Sequence, residues 1–188
     1  VRSFSGLGRR PKLLVAFSAG FLRFFLDYGT FTYLPVYLAI TRGTSPATVG
    51  LLLGCFAAGA MITASQASRR ARGRDPAHLV FLGFALTGGA VLAIPFLPND
   101  ALVGLSLVVY GLGNGMISPL QKSVLTQNAP PDLRGGVISV DRLLQQIAKS
   151  LAPAAMGLLL LVADVTAVFW ALGLLSLEVY FRHSILDE

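Results

Sequence analysis

Six long apolar stretches occupy nearly all of a 188-residue chain, and the gaps between them are too short to fold by themselves. They run over residues 13–40, 46–68, 76–97, 101–127, 135–162 and 165–181. Each holds the ~20 mainly apolar residues that a helix needs to cross ~30 Å of hydrocarbon. The expected fold class is therefore an all-α membrane protein of six transmembrane helices embedded in a lipid bilayer. Residues 1–12 read as the end of a cytoplasmic linker, and 183–188 as a short cytoplasmic tail.

Composition removes the main competing classes. Hydrophobic residues make up 54% of the chain and charged ones only 13%, about half the ~25% of an ordinary soluble domain. A soluble core is not to be looked for. The formal net charge of +6 could suggest nucleic acid. The basic residues, however, sit at the ends of apolar helices without aromatic interleaving, so no nucleic-acid partner is expected. Cys55 is the sole cysteine and lies mid-span, which leaves neither a disulfide framework nor a cysteine metal site. It reads as a small core residue. His78 and His183 stand alone near helix ends, and no metal-ligand cluster, nucleophile with a base, or phosphate loop occurs. The chain is read as neither an enzyme nor a cofactor protein.

Arginine and lysine fix the orientation, because positive charge retained in the cytoplasm decides how helices insert. Arg2, Arg9, Arg10 and Lys12 precede the first span, and Arg69, Arg70, Arg72 and Arg74 follow the second. Lys122 and Arg134 flank the connection between the fourth and fifth spans, and Arg182 follows the sixth. Arg42 alone lies on the opposite side. Both chain ends are therefore expected in the cytoplasm. The chain opens on Val1 without the charged, short-apolar and small-residue pattern of a signal peptide, and is expected to begin inside a longer protein.

Helix punctuation agrees with the spans. Ser45, Asp75 and Asp100 are expected N-caps, the first two followed by proline at the first helical position. The turns at Pro98-Asn99 and Asn128-Ala-Pro-Pro-Asp132 cannot easily continue a helix. Glycines cluster at Gly50 and Gly54, at Gly88 and Gly89, and at Gly111, Gly113 and Gly115, where close helix approach is expected.

Charge is expensive inside a membrane, roughly 2.5–3.5 kcal/mol at a helix centre, so a charged residue there faces a wet cavity or a partner. Asp27 is the most central acid, ~21–22 Å from both ends of the first helix at a rise of ~1.5 Å per residue. Arg23 is one turn earlier on the same face, with Tyr28 and Tyr33 near. Two readings stand open: a salt bridge that only cancels charge, or a substrate or proton site. On the fifth helix, 100° per residue places Ser139, Asp141, Arg142, Gln145, Gln146, Lys149 and Ser150 on one half of the wheel. Val140, Leu143, Leu144, Ile147, Ala148 and Leu151 fall on the other half. One polar face in a membrane should line water. Lys149 is expected within the hydrocarbon, either facing the cavity or snorkelling to the cytoplasm, and Asp141 at the cytoplasmic interface. The fourth helix contributes Tyr110-Gly-Leu-Gly-Asn114-Gly115 and Pro119, which suit either bending or close packing. The third helix has no charge within its apolar run and the sixth only Glu178, as expected of lipid-facing scaffold.

These residues resemble the second six-helix half of a twelve-helix transporter of the major facilitator superfamily. The resemblance is carried by Arg23-Phe-Phe-Leu-Asp-Tyr-Gly29 through Tyr33-Leu-Pro35, and by Ser68-Arg-Arg-Ala-Arg-Gly-Arg74. It continues through the run from Tyr110 to Gly157, which contains Gly111-Leu-Gly-Asn-Gly115, Pro119, Pro130-Pro-Asp-Leu-Arg-Gly135 and Ala152-Pro153-Ala-Ala-Met-Gly157. Ser68 stands near where the family often carries an acid, and Ala152-Pro153 is at most a degenerate form of the family's antiporter signature. The resemblance implies a 3+3 inverted repeat whose helices one, two, four and five line a central cavity. It implies secondary transport of a small molecule by alternating access, with protons as the coupling ion and drug or metabolite efflux ahead of nutrient uptake. Its partners would be the substrate, protons, and an N-terminal six-helix half that is missing from this chain, in the plasma or inner cell membrane.

Arg23, Asp27, Tyr28, Asn114, Gln145, Gln146 and Lys149 are the expected substrate and proton-pathway residues. Pro35, Gly111, Gly115, Pro119 and Pro153 are the expected gating or bending positions, and Arg69, Arg70, Arg72 and Arg74 the cytoplasmic basic loop. The alternative of another class is a six-helix subunit, scaffold or channel acting as a homodimer.

Overall fold

The computed structural model describes the backbone of residues 11–70 and 76–186, and the side chains of residues 13–66 and 78–178. Over these it is helical throughout, with six α-helices and no strand among the described residues. They are α1 (Pro11–Arg42), α2 (Pro46–Arg70), α3 (Pro76–Ala93), α4 (Asp100–Asn128), α5 (Arg134–Leu159) and α6 (Val165–Leu186). Short 3₁₀ turns, Ile94–Phe96 and Pro131–Leu133, finish the connections before α4 and α5. The side chains of Arg69, Arg70, Arg72 and Arg74, the Asp75 cap, the basic residues of the first stretch, Arg182 and His183 lie outside the described residues.

Local chemistry sets the helix ends. Gly43 takes the left-handed conformation at φ 64° and stops α1, with the Thr44 amide reaching back to the Leu38 carbonyl at 3.2 Å. Ser45 Oγ accepts from the Thr48 amide at 3.2 Å and starts α2. The cap of α4 is Asn99, not the expected Asp100: Asn99 is extended and its side chain accepts from the Leu102 amide at 2.9 Å. Asp100 is the first helical residue, which leaves its carboxylate available to other partners.

By length and apolar composition α1 to α4 can each cross a membrane on their own. Among the described residues α6 contributes the apolar run Val165–Glu178, and α5 does not qualify because its polar half dilutes its hydropathy. A helix of that kind enters the bilayer only with neighbours to cover or hydrate the polar face.

The helices pack in two rows. One row runs α2, α4, α1, α5; behind it α3 packs on α4, α6 on α1, and α3 on α6. Exchanging α1 with α4, α2 with α5 and α3 with α6 maps this neighbour pattern onto itself. Because the members of each pair are three places apart in an alternating bundle, with two helices between them, they run in opposite directions, which makes the six a 3+3 inverted repeat. The core between the rows is built from Leu34, Phe84, Leu107, Ile117, Phe169 and Leu172, all fully buried. Apolar residues such as Leu51, Met61, Leu158 and Leu161 remain exposed, as suits a surface turned to lipid chains. Cys55 is half-buried.

Small residues set how close the helices come. A Cβ on Gly111 would collide with the Phe56 carbonyl, and one on Gly115 with the Ala60 carbonyl and the Thr63 hydroxyl. Thr63 Oγ1 itself crosses to the Leu112 carbonyl at 2.8 Å. Both glycines are thus committed to the α2–α4 seam, the packing alternative of the two readings that α4 left open. Gly50, Gly54 and Gly89 correct the sequence expectation, since nothing lies within 4 Å of a Cβ built on any of them. Their faces are turned away from the neighbouring helices. The back row is fastened by buried hydroxyls: Ser176 donates to the Phe84 carbonyl at 2.7 Å, and its oxygen lies 3.1 Å from Thr87 Oγ1.

Candidate functional site

One face of α1 repeats at helical spacing through Ala16, Gly20, Arg23 and Asp27, and one stripe of α4 repeats through Tyr110, Asn114, Ile117 and Gln121. The two stripes meet in the α1–α4 seam, and their polar members join in two clusters.

The first cluster is centred on Asp27, of which only 6% is exposed. Tyr110 donates its hydroxyl to Asp27 Oδ1 at 2.7 Å. Asn114 donates its amide nitrogen to the same oxygen. Arg23 Nη2 stands 3.7 Å from Asp27 Oδ2, and Arg23 Nε donates to Asn114 Oδ1 at 2.9 Å. These contacts close a ring: guanidinium to amide oxygen, amide nitrogen to carboxylate, carboxylate back to guanidinium. They also fix the Asn114 amide, because the oxygen must face the donor-only arginine and the nitrogen the acceptor-only carboxylate. The Tyr110 ring is wedged between aromatics, 5.9 Å from Phe31 and 5.2 Å from Phe56.

The second cluster lies toward the other end of the same seam. Gln121 Nε2 donates to Asp141 Oδ1 at 2.9 Å and to the Ala16 carbonyl at 3.1 Å, while Gln145 Nε2 donates to Asp141 Oδ2 at 2.6 Å. Gly20 leaves the room: a Cβ there would meet Gln121 Nε2 and Asp141 Oδ1. Asp141 is therefore buried between helices, at 4% exposure. Gln121 Oε1 is buried with no hydrogen-bond partner.

Lys149 occupies a third position, between α5 and α1. Its ammonium is 4.8 Å from the centre of the Phe24 ring and 5.3 Å from that of Tyr28. Arg23 lies over the same Phe24 ring at 4.6 Å. The side chain lies against the two rings of α1. Gln146 and Arg142 are exposed on the same polar half of α5, and Gln146 takes no part in these networks.

The prolines lie inside continuous helices: Pro35 in α1, Pro119 in α4 and Pro153 in α5. Each lacks the amide that would bond the preceding turn. The Pro153 carbonyl accepts from Tyr33 Oη at 2.8 Å, and the absent side chain of Gly157 lets that hydroxyl approach. At the opposite end of the bundle Arg42 is tied down. It donates to the Leu97 carbonyl and pairs with Asp100 at 3.6 Å, and Thr44 Oγ1 donates to Asp100 at 3.1 Å.

Of the expected site residues, the structure brings Arg23, Asp27 and Asn114 into one cluster, Gln145 into the second, and Tyr28 and Lys149 into the third. Tyr110, Gln121 and Phe24 belong to the same assemblies and were not singled out as site residues. Two of them carried a signal, since Tyr110, Asn114 and Gln121 fall within about 40° of one another on the helical wheel at 100° per residue. Phe24 had none; its role comes from α5 crossing in front of it.

No curated protein sequence matches the chain. The family model of the Major Facilitator Superfamily matches residues 1–153. That match spans the three assemblies just described, and the six helices have the inverted-repeat packing of a membrane transporter bundle. The chain belongs to the major facilitator superfamily, a family of multi-pass membrane transporters.

Proposed function

We propose that this bundle forms one wall of a proton-coupled transporter that exports a drug-like or metabolite small molecule by alternating access. A preceding six-helix half would supply the opposite wall. The protein would lie in the plasma or inner cell membrane, with both ends of this chain cytoplasmic. The row α2, α4, α1, α5 is the wall in this reading, and α3 and α6 its outer support.

The observation that carries the proposal is the Asp27 cluster. A carboxylate is placed in the middle of a membrane helix, almost wholly buried, with a guanidinium 3.7 Å away and two further donors on one oxygen. Its arginine also reaches the cavity-side ring of Phe24. While Asp27 is charged, Arg23 is held on it. When a proton neutralises the carboxylate, the arginine loses that partner and is free to respond to substrate. Proton occupancy and substrate occupancy are then linked through one side chain, and linkage of this kind is reciprocal by thermodynamic necessity.

The test is transport by the intact protein in proteoliposomes under an imposed pH gradient. Asp27→Asn is expected to leave substrate exchange measurable while abolishing gradient-driven accumulation. Unchanged coupling in that variant would remove the proton role.

A further inference from the structure

We propose that the α1–α5 seam carries an organic-anion subsite in which Lys149 supplies the charge and Phe24 and Tyr28 supply flat apolar walls. The inference rests on the reading that this row of helices faces the transport cavity, and it names the class of substrate that the cavity takes: a small carboxylate-like anion with a planar body.

The argument begins with charge balance. The ion pairs among the described residues are Arg23–Asp27 and Arg42–Asp100, and Lys149 is in neither. Arg23 is neutralised by Asp27, and Asp141 is turned into the α1–α4–α5 seam, where Gln121 and Gln145 occupy both its oxygens. Arg142, two turns before Lys149 on the same polar half, is exposed and adds positive charge. This wall therefore presents a net positive surface centred on Lys149.

Magnitudes show that the rings do not suffice. A cation over an aromatic face gains less than an ammonium within the hydrocarbon costs. The remainder is met by water or by an anion, and an anion meets it better. The rings then serve a second purpose. Tyr28 is 41% exposed, so a planar group can lie against its free face while its carboxylate reaches Lys149 Nζ beside it. Phe24, with Arg23 at 4.6 Å and Lys149 at 4.8 Å from its ring centre, gives the ammonium a second aromatic contact beside Tyr28.

Equilibrium binding to the intact protein in detergent micelles tests this with three probes that share one ring and differ in charge: benzoate, benzamide and benzamidine. Benzoate is expected to bind at least tenfold tighter than the other two. Lys149→Gln should weaken benzoate at least tenfold and leave benzamide unchanged, whereas Lys149→Arg should stay within about threefold of the parent. Unaltered elution and helicity of the variants confirm that the fold is kept. Tightest binding of benzamidine, improved by Lys149→Gln, would overturn the proposal, because the rings would then be a cation cage with Lys149 as its tethered occupant. Three indistinguishable probes, or a Gln variant that binds benzoate like the parent, would also overturn it, the second by showing that Lys149 is paired elsewhere in the protein. Binding requires no proton movement, so failure here is distinct from failure of proton coupling at Asp27.

Discussion

The Arg23–Asp27 pair makes a sharp prediction about stability because its two members are not equally buried. Asp27 retains 8% of its side-chain surface and Arg23 15%, and Arg23 alone extends to a partly open ring face. At 3.7 Å the gross attraction is about 4 kcal/mol for an effective dielectric constant of ~20, offset by the desolvation of both groups. Arg23→Gln leaves a buried carboxylate with only the Tyr110 and Asn114 donors, and is expected to destabilise by about 3 kcal/mol. Asp27→Asn leaves a cation that can swing toward water, for about 1–2 kcal/mol. The double variant removes both charges and should be more stable than Arg23→Gln alone, with a coupling energy of about 2 kcal/mol. Reversible unfolding of the intact protein in mixed micelles measures all four corners of the cycle. Additive single effects, or a double variant less stable than Arg23→Gln, would refute the view that the two charges compensate each other.

Three further outcomes follow from the packing. Gly115→Leu places a side chain against the Ala60 carbonyl and should cost more than about 3 kcal/mol through overpacking; yield and thermal stability close to the parent would instead favour a bending role for this position. Gln121→Leu removes the donor to Asp141 and to the Ala16 carbonyl and should lower stability by about 1–2 kcal/mol in the same unfolding assay, an effect that an Asp141→Asn background should reduce. Arg42→Ala at the opposite end should cost below about 1 kcal/mol, and less still at high salt, since its Asp100 partner is 35% exposed; a salt-independent loss would mean that the contact to the Leu97 carbonyl dominates.

Much of the site could be read in advance where one helix contained both members of a contact. Arg23 and Asp27 are a turn apart on α1, and α5 declares its polar half by period alone. Asn114 was legible as a polar residue inside a glycine-rich apolar run. The errors fell where a second helix decides. Position along α5 does not say that Gln121 of α4 and the Ala16 carbonyl of α1 close over Asp141. Gly50 and Gly54 carry the same four-residue spacing as Gly111 and Gly115, yet only the second pair is pressed against a carbonyl. Spacing shows that two small residues share a face; it does not say whether a neighbour meets that face.

The sequence by itself determined that six apolar segments form helices, where the turns between them fall, and which segments carry charge. Transfer of each segment out of water and the hydrogen bonding of its own backbone are properties of that segment alone. Only the tertiary structure decided that Tyr110 and Asn114 share one oxygen of Asp27, that Gln121 holds Asp141, and that Lys149 rests on Phe24 and Tyr28. Those contacts depend on the rotation of each helix about its axis and on the pairing of helices across the inverted repeat, both set by mutual packing rather than by the chain's local pattern.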